Sequence, residues 1–208
     1  MKISIIGASA GIGLQCTKLV LEHGHEVTTL SRRVARLPDH AKLHHVQGSA
    51  TNPSDVRPAI EGADAILVTL GVKSPFATTV FSESAHVLLR ALRETHTSAT
   101  LIVLTGFGAG DSWNYNAFPM KLMFTLLLKN VYADKSEQER VIAGGYPRWE
   151  IVRPGRLTNG EMTGRYRVLD SLVEGMQVGA ISRADVAHFM VTQAESPTYL
   201  RKTVALTS

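Results

Sequence analysis

Apolar and polar positions along this chain fall into blocks that switch between two periods. Lys2–Ile6 (KISII) is a short apolar run that reads as a buried strand, and Gly11–His23 then repeats Ile12, Cys16, Leu19 and Val20 at helical spacing. His25–Leu30 (HEVTTL), rich in β-branched residues, predicts a second strand, and Leu43–Val46 a short third one. Asn52-Pro53-Ser54 opens a short helix through Ile60, with proline suited to its first turn. Ala65–Leu70 (AILVTL) is continuously apolar but for Thr69, as a strand covered on both faces should be. The pattern continues with a helix over about 80–93, a strand over Thr100–Thr105, and a helical region over Phe118–Ala143 interrupted near Asn130. It closes with a strand over Glu150–Val152, a helix capped at Ser182 and running to Ala194, and a strand over Lys202–Leu206.

Strand and helix alternate with no internal repeat, low-complexity segment or Pro/Ser-rich linker. This predicts one doubly wound α/β domain over residues 1–208, a parallel sheet with helices on both faces. Such sheets bind their ligands beyond the carboxyl ends of the strands. That rule singles out the turn after Ile6, the segments after Leu30 and Val46, Gly71, and Thr105–Asp111.

The turn after the first strand reads Gly7-Ala8-Ser9-Ala10-Gly11-Ile12-Gly13. A pyrophosphate needs a tight turn, a backbone bare enough to approach, and the amide end of a helix aimed at it. Gly7 can make the turn, Ala10 or Gly11 the close approach, and Gly13 the contact between helix and strand; Ser9 adds a hydroxyl and Ile12 lies inside the same cradle. The second strand ends in Ser31-Arg32-Arg33 with no acid. A carboxylate there would accept bonds from a ribose 2′-hydroxyl, whereas two guanidinium groups suit a 2′-phosphate. The reading is therefore NADP(H) rather than NAD, with Thr69, Leu70 and Gly71 under the ribose and pyrophosphate.

Composition narrows the picture slightly. A length of 208 residues suits one core, and 44% hydrophobic with 19% charged residues is the balance of an ordinary globular protein. The net charge of +4 favours anionic partners, but without a dense Lys/Arg tract it points to a phosphate-bearing small molecule rather than to nucleic acid. Cys16 is the single cysteine, so no intrachain disulfide forms, and it is expected to pack in the first helix. No apolar stretch reaches the roughly 18–20 residues of a membrane span, and no signal-peptide pattern opens the chain, so a cytoplasmic monomer or homodimer is expected. The eight histidines show no zinc-like spacing: His23 and His25 flank Gly24, and the adjacent His44 and His45 point to opposite faces of a strand. No metal site is expected.

Two further segments, Asp134-Lys135-Ser136-Glu137-Gln138-Glu139 and Ile151-Val152-Arg153-Pro154-Gly155-Arg156-Leu157, complete a resemblance. With the glycine turn and the arginine pair, the chain resembles an atypical short-chain dehydrogenase/reductase, of the compact NAD(P)H-binding group that includes flavin and biliverdin reductases and nitrogen-repressor-like proteins. The glycines fit either the Gly-x-x-x-Gly-x-Gly spacing of short-chain dehydrogenases or the atypical spacing with Ala10 in place of the middle glycine. The resemblance implies a Rossmann-type NAD(P)-binding fold, with substrate-side elements at about 106–130 and 153–180. It places Lys135 near the nicotinamide ribose and Arg153, Pro154 and Gly155 in the wall beside the nicotinamide. Gly48, Ser49 and Ala50 stand where the superfamily often has an adenine-binding Asp.

The family's catalytic Tyr-x-x-x-Lys is one residue short here, as Tyr132-Ala133-Asp134-Lys135. Tyr132, Lys135 and Thr105 share a neighbourhood as a conceivable improvised proton relay. Hydride transfer to a flavin or quinone does not need that relay, because the acceptor's ring takes the charge. The expected function is thus an NADPH-dependent oxidoreductase acting on a small conjugated acceptor. Its alternatives are a non-catalytic NADP(H)-sensing regulatory protein and a carbonyl reductase using Tyr132 and Lys135. Phe107, Trp113, Tyr115 and Phe118 are expected either to line an apolar pocket or lid or to pack as an ordinary loop. The uncharged stretch Pro119–Leu128 reads as a buried helix, a pocket wall or a subunit contact, and Glu137 and Glu139 as surface charges, with Glu139 also able to pair back to Lys135.

Overall fold

The computed structural model describes residues 1–34, 36–72, 78–115, 128–173 and 176–208. Strands β1 (Lys2–Ile6), β2 (Glu26–Ser31), β3 (Leu43–Gln47), β4 (Ala65–Val68), β5 (Thr100–Leu104) and β6 (Trp149–Pro154) lie in the order β3-β2-β1-β4-β5-β6, and every neighbouring pair is parallel. The order reverses at β1, with β2 on one side and β4 on the other. Crossovers are made by α1 (Gly11–Glu22), α2 (Pro53–Ile60), α3 (Val80–Glu94) and α4 (Lys129–Gly145). This is the doubly wound, Rossmann-type sheet expected from the strand–helix alternation.

Three short strands were not legible in the sequence: β7 (Arg156–Thr158), β8 (Arg167–Leu169) and β9 (Ala180–Ser182). Each has three residues, too few to show a period. β9 leads into α5 (Arg183–Glu195), and the final strand β10 (Lys202–Thr207) runs parallel to β6. β8 closes that edge antiparallel to β10, so the sheet is not wholly parallel, while β7 and β9 form a separate two-stranded ribbon. The helical stretch expected from Phe118 is described only from Leu128 onward, and Phe118 with most of Pro119–Leu128 lies outside the described residues.

The central strands are buried on both faces, which divides the core in two. Cys16, Val20, Ile5, Leu67, Ile102 and Met190 pack beneath α1 and α5, whereas Val56, Ile60, Leu88, Leu92, Val103 and Ile142 pack beneath α2, α3 and α4. Burial raises the Cys16 thiol to about 12, so it stays protonated and inert. Among the described residues no helix is long and apolar enough to cross a membrane.

One buried carboxyl sits at the amino edge of the sheet. Glu150 is fully buried; its Oε1 accepts the Tyr199 N–H at 2.9 Å, and its Oε2 has no partner among the described residues. Burial raises its pKa to about 7, against the lowering pull of the Tyr199 bond. Because the folded value lies above the unfolded one, its contribution to stability is intact below about pH 4.5 and is lost as pH rises through 7. Glu150→Gln should therefore unfold at higher denaturant than the parent above pH 7, by about 2 kcal/mol, and match it in acid. Urea titrations across that range check this; a variant less stable than the parent at every pH contradicts it.

Candidate functional site

The carboxyl edge around the reversal point gathers the residues singled out by sequence. Gly7 leaves β1 with φ +98°, a conformation that L side chains rarely adopt, and a Cβ on it would meet the Thr69 carbonyl oxygen at 2.9 Å. Gly13 is tighter: its Cβ would lie 2.3 Å from the Gly7 carbonyl oxygen and 2.4 Å from Thr69 Oγ1. Thr69 is itself fixed, since its N–H and hydroxyl both donate to the Ile6 carbonyl, at 2.8 and 3.1 Å. The helix start, the strand end and the β4 terminus are thereby held in contact. Leu70 is half-buried and Gly71 exposed just beyond.

Among the described residues, no side chain caps the amide end of helix α1. Ala10 at its N-cap makes no side-chain bond, and the first turn carries no acid. Two other helices carry a side-chain cap, Asn52 on α2 and Ser182 on α5, whereas α4, like α1, has none. The buried Asp134 of α4 accepts the Phe81 and Ser82 N–H groups at the start of α3, at 2.9 and 3.0 Å. Open space surrounds Gly11, where a Cβ would meet nothing within 4 Å. Ala10 and Gly11 are exposed and Ser9 half-buried, while Ile12 turns its side chain into the core and offers only backbone. An uncapped amide end with a positive dipole beside bare backbone is a place for an anion.

One strand over, Ser31 is buried and its hydroxyl donates to the Arg33 carbonyl at 2.8 Å, shaping the bend that projects Arg32 and Arg33. Both arginines are exposed, and among the described residues neither has an ion-pair partner. After β3, a Cβ on Gly48 would meet the Asp55 carboxylate at 2.4 Å, and Asp55 accepts the Ser49 N–H at 2.8 Å. Ser49's hydroxyl bonds Thr51, and Ala50 is buried in the core. The acid at this place in the fold is therefore Asp55, supplied by α2 and hidden from a reading confined to the strand end.

Thr105, Tyr132 and Lys135 are brought together, but not linked as the relay expected. Lys135 Nζ donates to the Thr105 backbone carbonyl at 2.6 Å and lies 5.3 and 5.4 Å from the ring centres of Phe81 and Tyr132. The Thr105 hydroxyl donates instead to Glu139 at 2.6 Å. Burial lowers Lys135 to about 8, with the Glu139 charge opposing, and burial raises Tyr132 to about 12. The tyrosine's acidity is weakened, the reverse of what a proton-trading dyad requires.

Glu139, read as a surface charge, is buried. Arg153 grips it with two donors, Nε to Oε1 at 3.0 Å and Nη2 to Oε2 at 2.7 Å, and extends Nη1 to Asp111. Gly110 packs over the pair, where a Cβ would strike Arg153 Nη2 at 2.3 Å. Arg153, Pro154 and Gly155 are thus engaged within the wall: the Pro154 carbonyl accepts from Phe107, and the Gly155 N–H donates to Leu206. The loop after β5 is likewise tied down. Gly110 N–H donates to Ser136 at 2.8 Å, and Phe107 is buried rather than set in a lid, while Trp113 and Tyr115 remain half-exposed. The spacing of Lys135 and Glu139 on one face of α4 was the only sequence hint of this network, because Arg153 arrives from another element.

Residues 7–197 match the model of a family described as NAD(P)H-binding. A 3-beta-hydroxysteroid dehydrogenase from Mycolicibacterium neoaurum is 37% identical over 71 residues, which are 34% of this chain and 19% of that protein. The match thus takes in a minor part of that relative's length. An anaerobilin reductase from Escherichia coli O157:H7 superposes with a TM-score of 0.82 at 22% identity, covering 100% of this chain and 97% of the other. A short-chain dehydrogenase/reductase from Veillonella parvula DSM 2008, solved in complex with NADP, superposes with a TM-score of 0.84 at 16% identity, covering 100% and 94%. Both likenesses speak to the fold.

Proposed function

The chain belongs to the NAD(P)H-binding family, and from that premise we propose that it is an NADPH-dependent oxidoreductase acting on a small conjugated acceptor such as a flavin or quinone. The observation that carries the reading is the uncapped amide end of α1 behind Gly7, with Arg32 and Arg33 exposed one strand away. The residues fit the group: α1 would hold a diphosphate, Arg32 and Arg33 the 2′-phosphate, and Lys135 the nicotinamide ribose. Bound NADPH would supply the hydride.

This chain's own part is then to position and to enclose. Gly13 and Thr69 keep the cradle closed around a bare backbone. The Glu139–Arg153–Asp111 network braces the wall formed by the β5 and β6 ends. Lys135, lowered to about 8 by burial, is still mainly ammonium at neutral pH but holds its proton less tightly than an ordinary lysine, so it can release one to a reduced acceptor. Tyr132, raised to about 12, suits packing better than carbonyl chemistry. That the Escherichia coli neighbour is named a reductase, of anaerobilin, supports a reductive role for a site of this shape.

The test mixes purified protein with NADPH and a panel of flavins and quinones and follows nicotinamide absorbance. Acceptor-dependent loss is expected, retained in Tyr132→Phe and reduced roughly 100-fold in Lys135→Met. Tight NADPH binding with no turnover across the panel would replace this reading with the sensor, and loss of turnover in Tyr132→Phe would replace it with a carbonyl reductase.

A further inference from the structure

At the opposite, amino edge of the sheet, three ligand-type side chains converge that spacing had not connected. His23 is the C-cap of α1, and His25 stands just before β2, across Gly24 at φ +80°. Glu195 is the last residue of α5. His23 Nδ1 lies 2.6 Å and His25 Nε2 2.9 Å from the same carboxylate oxygen, Glu195 Oε1. The two rings stand at 75° with centres 6.4 Å apart, so they approach that oxygen from different directions. All three candidate donor atoms fall within 4.8 Å of one another.

We propose that His23, His25 and Glu195 form a binding site for a borderline divalent metal ion, with Zn²⁺ as its probe, clipping the α1–β2 turn to the end of α5. Two imidazoles and one carboxylate are a donor set for zinc-like ions rather than for calcium or magnesium, which prefer oxygen. Ligand bonds of about 2.0–2.1 Å place donors around a tetrahedral ion roughly 3.3 Å apart. The three side chains, 38%, 20% and 28% exposed, need only small outward rotations to reach that spacing, and a fourth position stays open to water.

The backbone adds to the case. Both α1 and α5 end here, so the negative ends of two helix dipoles meet at the cluster and favour a cation. The turn is prebuilt: the Gly24 N–H donates to Leu21, the His25 N–H to Val20, and Lys42 Nζ to the Gly24 carbonyl at 2.7 Å. The ion would take the place of the hydrogen bonds now made between each imidazole and Glu195.

Calorimetric titration of the tag-free, metal-stripped chain with ZnCl₂ near neutral pH tests the proposal. One ion per chain is expected, with His25→Ala and Glu195→Gln each weakening uptake at least tenfold, and His44→Ala, at an exposed position of β3, leaving it unchanged. Cobalt in place of zinc should give the visible absorbance of a low-coordinate imidazole site, lost in His25→Ala. Circular dichroism establishes that each variant is folded; if His25→Ala is not, His23→Gln takes its place. Absence of one-to-one uptake, or uptake unchanged in both folded variants, overturns the site and leaves the cluster a hydrogen-bonded clasp.

Discussion

Arg153→Met should destabilise the protein by about 3–5 kcal/mol, the cost typical of stranding a buried charge. The guanidinium is 6% exposed and makes two bonds to Glu139, itself 7% exposed, so its loss leaves the carboxylate, among the described residues, with the Thr105 hydroxyl as hydrogen-bond donor and the charge of Lys135 nearby. Asp111, 74% exposed, loses little, because water replaces its partner. The companion Arg153→Met/Glu139→Gln removes both charges and should recover more than half the deficit, since the penalty lies in the orphaned group rather than in the lost pair. Urea unfolding of the parent and both variants measures this. A single-variant cost below about 1 kcal/mol would mean that the pair is solvated and the β5–β6 wall is held by other means.

The second large effect concerns the glycine turn. Gly13→Ala drives a methyl to within 2.3 Å of the Gly7 carbonyl oxygen and 2.4 Å of Thr69 Oγ1. The Thr69 hydroxyl can yield only by giving up its bond to the Ile6 carbonyl, and the Gly7 carbonyl is backbone, so α1 must shift from β1. Such overpacking costs about 1–3 kcal/mol. The larger loss is expected in NADPH affinity, about 100-fold or more, because displacement of α1 moves its amide end off the diphosphate. Gly11→Ala separates the two effects: no atom lies within 4 Å, so its stability cost should be only the roughly 1 kcal/mol of a left-handed alanine at φ +56°. Its methyl nevertheless enters the open space over the helix end, so affinity should fall with little loss of fold. Equal stability and affinity losses in both variants would contradict this division.

The parts of this molecule that were legible in sequence are those built from neighbours in the chain. Gly7 and Gly13 mark a turn because one strand, one bend and one helix follow in order, and Asn52 and Ser182 announce their helices within three residues. The arginine pair could be placed because it follows directly on the β-branched stretch that forms β2. What stayed hidden depends on distant elements meeting. Glu139 looks like any solvated helix carboxylate until Arg153 arrives from β6. Asp134 gives no sign in its own segment that it caps α3, by accepting from Phe81, 53 residues earlier. His23 and His25 meet a carboxylate some 170 positions away, beyond any spacing rule. The three-residue strands β7 to β9 are defined by pairing partners, not by their own pattern.

The dinucleotide site is the premise on which both the reductase and the sensor stand. Calorimetry of the purified chain with NADPH and with NADH, repeated on Arg32→Ala/Arg33→Ala, tests it most directly. The account predicts one NADPH per chain, bound about 100-fold more tightly than NADH, the equivalent of about 3 kcal/mol for two charge-assisted contacts. That preference should vanish in the double variant while NADH binding is unchanged. Equal affinity for the two coenzymes would contradict the role of the arginines, and heat from neither would contradict the site itself.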